Sequence, residues 1–160
     1  MNAVKYVRRL FSLDAGMVLL MIESFFYLGW SRILITLPFA KIAPSLGARN
    51  EETRLLTLEK DTLELKRLST ALNRMSRHTL WDSRCLVRAI AALKMLDRRG
   101  ISSTLYLGTA KEQGGEMIAH AWLRSGTLYI TGAEEMRRFT VVGTFAKNGQ
   151  RLKDRTARRV

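Results

Sequence analysis

The stretch Cys-Leu-Val-Arg-Ala-Ile-Ala-Ala-Leu-Lys-Met-Leu-Asp-Arg-Arg-Gly, residues 85–100, together with Met-Ile-Ala-His-Ala-Trp-Leu-Arg-Ser-Gly-Thr-Leu-Tyr-Ile-Thr-Gly, residues 117–132, decides the fold. In the first, Leu86, Ile90, Leu93 and Leu96 recur at three- and four-residue intervals, and Arg84, Arg88, Lys94 and Arg98 occupy the other side. That is the period of an amphipathic helix. Asp82 and Ser83 are the N-cap candidates. Cys85, the only cysteine of the chain, therefore falls in the first turn, where free backbone N–H groups and the positive end of the helix dipole favour a thiolate. Gly100, after Arg98 and Arg99, is the expected stop.

Beyond Gly100 the period changes to alternation, which predicts strands near Thr104–Thr109, Met117–Arg124, Thr127–Thr131 and Phe139–Phe145, with a loop over Lys111–Gly115. Ser125-Gly126 reads as a two-residue hairpin turn. Counting back from so tight a turn sets Trp122 opposite Tyr129 and His120 opposite Thr131, so that all four share one face.

A nucleophile at the start of a helix, packed on an antiparallel sheet that presents a histidine, is the arrangement of cysteine peptidases. Trp81, Cys85-Leu86, Arg88-Ala89, the ending Leu96-x-x-x-Gly100-Ile101, Leu105–Gly108 and His120-Ala121-Trp122-Leu123 together resemble the transglutaminase-like peptidase that removes leader peptides in bacterial lasso-peptide pathways. Ile130-Thr131-Gly132 and Phe139-Thr140-Val141-Val142 resemble its stand-alone form, and the match covers roughly residues 10 to 145. The resemblance implies an α+β, transglutaminase-like (papain-like) fold with an N-terminal helical extension.

It also implies a Cys-His mechanism on Cys85 and His120, with the Cys85 N–H as one oxyanion donor and no second donor named. Many relatives carry an aspartate on the strand after the histidine. Aligned on the turn glycine, that position here is Thr131; aligned without a gap it is Gly132, and neither is a carboxylate. Thr131 is the candidate orienting residue, accepting from the ring N–H more weakly than a carboxylate would, with Glu134, Glu135 and Asp82 as acidic alternatives. The implied partners are the precursor peptide, a separate PqqD-like leader-recognition protein and an ATP-dependent macrolactam synthetase that acts afterwards. The chemistry needs no organic cofactor or metal, and no metal-ligand cluster is visible in the sequence.

Taken singly, these residues have plainer readings. A lone cysteine is usually a small buried hydrophobe and a lone strand histidine is usually structural; it is their joint context that marks a catalytic pair. Trp81 and Trp122 are candidates for the substrate cleft, although core or cleft-wall packing is the simpler use of both. His78 has no motif around it and receives no role.

The chain has 160 residues, 47% of them hydrophobic, which suits one domain with a real core. Three regions are expected: an N-terminal helical region over 1–48, the peptidase-like domain over 49–146, and a basic mobile tail over 147–160. Lys5, Arg8 and Arg9 followed by the apolar run Ala15–Trp30 superficially resemble a signal peptide. Asp14 at the junction, Glu23 within the run and the lack of a small-x-small site argue against one. Glu23, Arg32 and Lys41 argue against a transmembrane segment. Two helices are expected instead, Leu13–Leu28 and Trp30–Leu37, the second stopped by Pro38 and loosely continued to Pro44. Their apolar faces suit either the core or another protein; periodicity does not separate the two, and core packing is the default expectation. Ser45–Asn50 reads as a linker. Glu51–Met75 reads as one long helix with a Glu64–Arg67 pair, and Met75–Leu80 as a connection.

A net charge of +13 raises nucleic-acid binding as a different class of function. The basic residues are spread over most elements, one cysteine permits no zinc finger, and no aromatic RNA-binding strand motif is present, so nucleic acid is not the expected partner. Spread charge of this kind is a solvated surface that also suits an acidic partner or anionic lipid. One cysteine excludes an intramolecular disulfide and, with a thiol nucleophile, fits a reducing cytoplasm. The missing aspartate leaves one alternative of another class, a non-catalytic interaction protein that keeps the peptidase fold.

Overall fold

The computed structural model describes residues 14–82 and 84–150. Among these the elements run α1 (Ala15–Leu34), α2 (Phe39–Leu46), β1 (Ala48–Arg49), α3 (Glu59–Met75), α4 (Cys85–Arg98), β2 (Ser103–Lys111), β3 (Met117–Ser125), β4 (Leu128–Thr131), a single 3-10 turn (Met136–Arg138) and β5 (Thr140–Lys147). The five strands form one antiparallel sheet in the order β1-β5-β2-β3-β4. The fold is α+β and of the papain-like kind, with α4 against the middle of the sheet.

Helix α4 forms as its periodicity predicts. Val87, Ile90, Leu93, Met95 and Leu96 are fully buried, and Gly100 leaves the helix at φ 66° after the Arg99 C-cap. Its start differs from expectation. The N-cap is Arg84, whose side chain makes no capping hydrogen bond; Asp82 is drawn into an ion pair with the Arg84 guanidinium, and Ser83, the other expected cap, lies outside the described residues.

Alternation sorts the sheet into two faces. Leu105, Ala121, Leu123, Ile130 and Phe145 join the α4 side chains, Leu65, Leu68 and Leu72 of α3, Leu28 of α1, and Ile42 and Leu46 of α2 in one buried cluster. The even positions of β2 and β3 carry Tyr106, His120, Trp122 and Arg124 on the opposite face.

Residues 51–58, expected as the first part of a long helix, are extended and lie across that second face. Tertiary polar partners decide this. Thr53 N donates to Thr104 Oγ1 at 2.9 Å, and the buried Arg124 guanidinium reaches Glu52 (3.1 Å), the Thr53 carbonyl (3.2 Å) and the Tyr106 hydroxyl (2.9 Å). No local periodicity encodes such a strap. Tyr106 also donates to Glu52 at 2.6 Å, and burial followed by that bond pushes its hydroxyl pKa up to about 12. A raised tyrosine pKa contributes stability that is complete below the ordinary value near 10 and is lost as pH climbs to about 12. Urea midpoints measured from pH 9 to 12 should fall across this window, and Tyr106→Phe should flatten that part of the profile.

The N-terminal helices are also redrawn. α1 runs unbroken through Gly29 and Trp30, because Gly29 serves as a flat seat for the Trp81 ring: a Cβ there would meet that ring at 3.3 Å. Pro38 starts α2, and Pro44 is accommodated inside it. The linker holds the edge strand β1, with Gly47 and Asn50 at positive φ as its breakers. Glu64 pairs with Arg99, and Arg67 with Asp14, so both charges expected as a local pair serve tertiary contacts. Arg99 also makes a fork-to-fork pair with Glu23 (2.8 and 2.6 Å), which ties α1 to α4. The start of the expected tail is part of the fold: Lys147 closes β5 and pairs with Asp97, and Gly149 N donates to Ser102. The rest of that tail, 151–160, and residues 1–13 lie outside the described residues.

Candidate active site

The hairpin between β3 and β4 sets the site, and its register departs from the expected one. The turn residues are Gly126 and Thr127, since Ser125 pairs with Leu128. Arg124 then pairs with Tyr129 and Leu123 with Thr131, leaving Ile130 as an extra residue. The bulge turns Thr131 toward the core side. It is 3% exposed, its hydroxyl has no hydrogen-bond partner among the described residues, and it lies opposite Leu123, not His120.

The position that meets the histidine is Gly132. Its carbonyl lies 2.8 Å from His120 Nε2. A carbonyl can only accept, so Nε2 carries the proton and Nδ1 is left as the basic nitrogen of the neutral ring. Gly132 sits at φ 74°, where a Cβ would approach the Ala121 carbonyl oxygen at 2.6 Å, Trp122 Cβ at 2.9 Å and His120 Nε2 at 3.1 Å. A glycine at this point of the strand is what lets backbone come so close to the ring. Thr131→Ala is accordingly expected to change the rate of any His120-dependent reaction by less than about twofold, as steady-state kinetics would show.

The imidazole is held flat as well as at its edge. Phe139 stacks on one side (centroids 4.9 Å apart, 29°) and Trp122 lies on the other (5.8 Å, 25°), itself stacked on Tyr106 at 5.5 Å and 4°. The Arg124 guanidinium lies over Tyr106, 5.7 Å from the ring centroid, and ends the column. Trp122 is thus a buried buttress at 4% exposure. Trp81 packs on Phe25 of α1. Neither tryptophan is among the residues lining the cavity described next, and both make the packing contacts that were the simpler expectation.

Because β4 ends at Thr131, the first half of β3 has no strand on that side, and a cavity of about 330 Å³ opens there. Cys85 from the first turn of α4, and Ile118, Ala119 and His120 from β3, line it together with Arg84, Arg88, Gly132, Glu134, Glu135 and Phe139. The two candidate reactive residues, 35 positions apart in sequence, thus share one solvent-accessible space. Of the acidic alternatives, Glu134 and Glu135 are at the cavity, and Asp82 is exposed and paired with Arg84. The ring is held through Nε2 by the Gly132 carbonyl and not by any of these three carboxylates.

Chemically, this places a thiol in the first turn of a helix, in the same cavity as a histidine whose tautomer its backbone partner fixes. Such a pair can pass a proton from sulfur to nitrogen and support attack on an electrophilic carbon. Among the described residues no cluster of three or more metal-ligating side chains occurs. Sequence reasoning reached Gly132 as one alignment of the orienting position but gave its backbone carbonyl no role, and it gave none to Phe139. An isolated strand glycine next to a strand histidine was the available signal for the first, and nothing local marks the second.

Nothing among curated proteins and nothing among solved structures matches the chain. A family model described as the transglutaminase-like superfamily, which includes enzymes of the cysteine-protease type, matches residues 25–144. That span takes in the second half of α1, the helix bearing Cys85, the strand bearing His120 and the first part of β5, so by sequence and by fold this chain belongs to the transglutaminase-like superfamily.

Proposed function

We propose that the protein is a cysteine peptidase that removes the leader from a ribosomally made lasso-peptide precursor. The observation that carries the reading is the shared cavity of Cys85 and His120, with the His120 ring bonded through Nε2 to the Gly132 carbonyl. His120 Nδ1 takes the proton from Cys85 Sγ, and the sulfur attacks the scissile carbonyl carbon. The tetrahedral oxyanion forms beside the backbone N–H groups at the start of α4. Collapse breaks the C–N bond as the imidazolium gives its proton to the departing amine. Water, deprotonated by His120, then hydrolyses the thioester and restores the thiol.

The narrower assignment rests on the sequence resemblance around Trp81, Cys85-Leu86, Arg88-Ala89 and His120-Ala121-Trp122-Leu123. In this reading a PqqD-like protein presents the leader, a macrolactam synthetase closes the ring on the freed amine, and the reaction takes place in the cytoplasm. The test is mass spectrometry of the cognate precursor after incubation with the protein, with and without the recognition protein, and with and without prior iodoacetamide treatment. Release of one leader fragment, stimulated by the partner and lost in step with a single adduct on Cys85, is the expected result. Cleavage of unrelated peptides without the partner would keep the peptidase and discard the leader-specific role. No cleavage of any peptide would favour a non-catalytic interaction protein with this fold.

A further inference from the structure

Apart from Glu23, Ser24, Ser31 and Arg32, α1 consists of apolar residues, tyrosine and glycine, yet only Ser24, Leu28 and Ser31 of its twenty residues are buried. A helix of that composition ordinarily has non-aqueous surroundings on every side. Its outward stripe is regular: Leu19, Ile22, Phe26, Trp30 and Ile33 recur at intervals of three and four residues. Phe26 is 68%, Trp30 57% and Ile33 67% exposed. Leu37 and Phe39 continue the exposed apolar surface into α2.

We propose that this face is the contact by which the protein lies on an anionic lipid bilayer, with α1 in the plane of the interface. α1 is long and apolar enough to cross a membrane, with a mean hydropathy of 1.4. It is held to the domain by the buried Leu28 and by the Glu23–Arg99 fork, so it offers one face to lipid while the other stays in the core.

Charge complementarity selects the occupant. The acidic groups at α1, Asp14 and Glu23, are both paired with arginines, Arg67 and Arg99. Arg32 of α1 and Lys41 of α2 are both exposed, and Lys5, Arg8 and Arg9 precede α1 in sequence. Cations flanking an apolar helix face suit anionic headgroups. A second copy also carries +13 and is repelled. A protein interface of this extent needs roughly one hydrogen bond per 100–200 Å², whereas the five stripe residues offer only the Trp30 indole N–H. Hydrocarbon and headgroups ask for nothing more, and Trp and Phe are favoured at that boundary.

The test is flotation of the full-length chain with large unilamellar vesicles of phosphatidylcholine, with and without phosphatidylglycerol. The expected result is flotation with the anionic vesicles, less with phosphatidylcholine alone and less at high salt. The double substitution Phe26→Ser, Trp30→Ser should lower the bound fraction about tenfold or more with an unchanged circular dichroism spectrum, since both side chains point outward. Failure to float with anionic vesicles overturns the proposal. So does equal flotation of the double variant, which would leave diffuse charge as the cause. A wild-type dimer in sedimentation equilibrium that the double variant loses, without vesicle binding, would assign the stripe to a second copy.

Discussion

Replacing Cys85 by alanine is expected to abolish peptide cleavage, lowering the turnover number by at least about 10⁴-fold. Sulfur is the only atom at the cavity able to form the thioester, and no second cysteine exists to take its place. The fold should survive. Cys85 is half-buried at the end of a helix whose stability comes from Ile90, Leu93 and Leu96 further along, so the thermal midpoint should move by no more than a few degrees, as for a small partly exposed truncation. Circular dichroism and a cleavage assay on the same preparation separate the two effects. Full turnover in a folded alanine variant would eliminate the mechanism and return Cys85 to the status of a packing residue.

Gly132→Ala is expected to damage both stability and rate. At φ 74° a side chain is strained wherever it points, and here the new methyl meets the Ala121 carbonyl oxygen at 2.6 Å and Trp122 Cβ at 2.9 Å. The left-handed backbone and the two contacts should together cost about 2–4 kcal/mol, visible as a lower urea midpoint. The third contact, 3.1 Å from His120 Nε2, falls on the atom that the Gly132 carbonyl holds. Relief must shift either strand or ring, and a displacement near 1 Å at a reacting group costs about a hundredfold in rate. The expected signature is a drop in kcat with KM little changed, measured at a temperature where the variant is still folded. A stable, fully active Gly132→Ala protein would show that the carbonyl does not position the imidazole.

Trp81 and Trp122 illustrate how packing claims an aromatic residue beside a motif. Both flank the reactive residues, which suggested a cleft, but a flat apolar ring is used wherever a flat surface needs covering. For Trp81 that surface is Gly29 of α1, and for Trp122 it is the stack from Tyr106 to His120. Thr131, by contrast, was misplaced. One extra residue in a strand reverses which side chains share a face, and the bulge at Ile130 follows from packing on α3, where Ser69 and Asn73 reach the Ile130 carbonyl.

By itself the sequence determined what depends on near neighbours. The period of residues 85–100, its glycine stop and the alternation of the four longer strands all survive in the structure, because helix and strand periods are properties of the local chain. Only the tertiary structure decided what depends on distant partners. Residues 51–58 are extended because Arg124 and Thr104 supply their hydrogen bonds from the sheet. His120 is oriented by a backbone carbonyl, a group every residue possesses and no sequence pattern marks. α1 both completes the core and leaves an apolar stripe outside it, since periodicity reports that a helix is apolar but not how much of it the rest of the chain is large enough to cover.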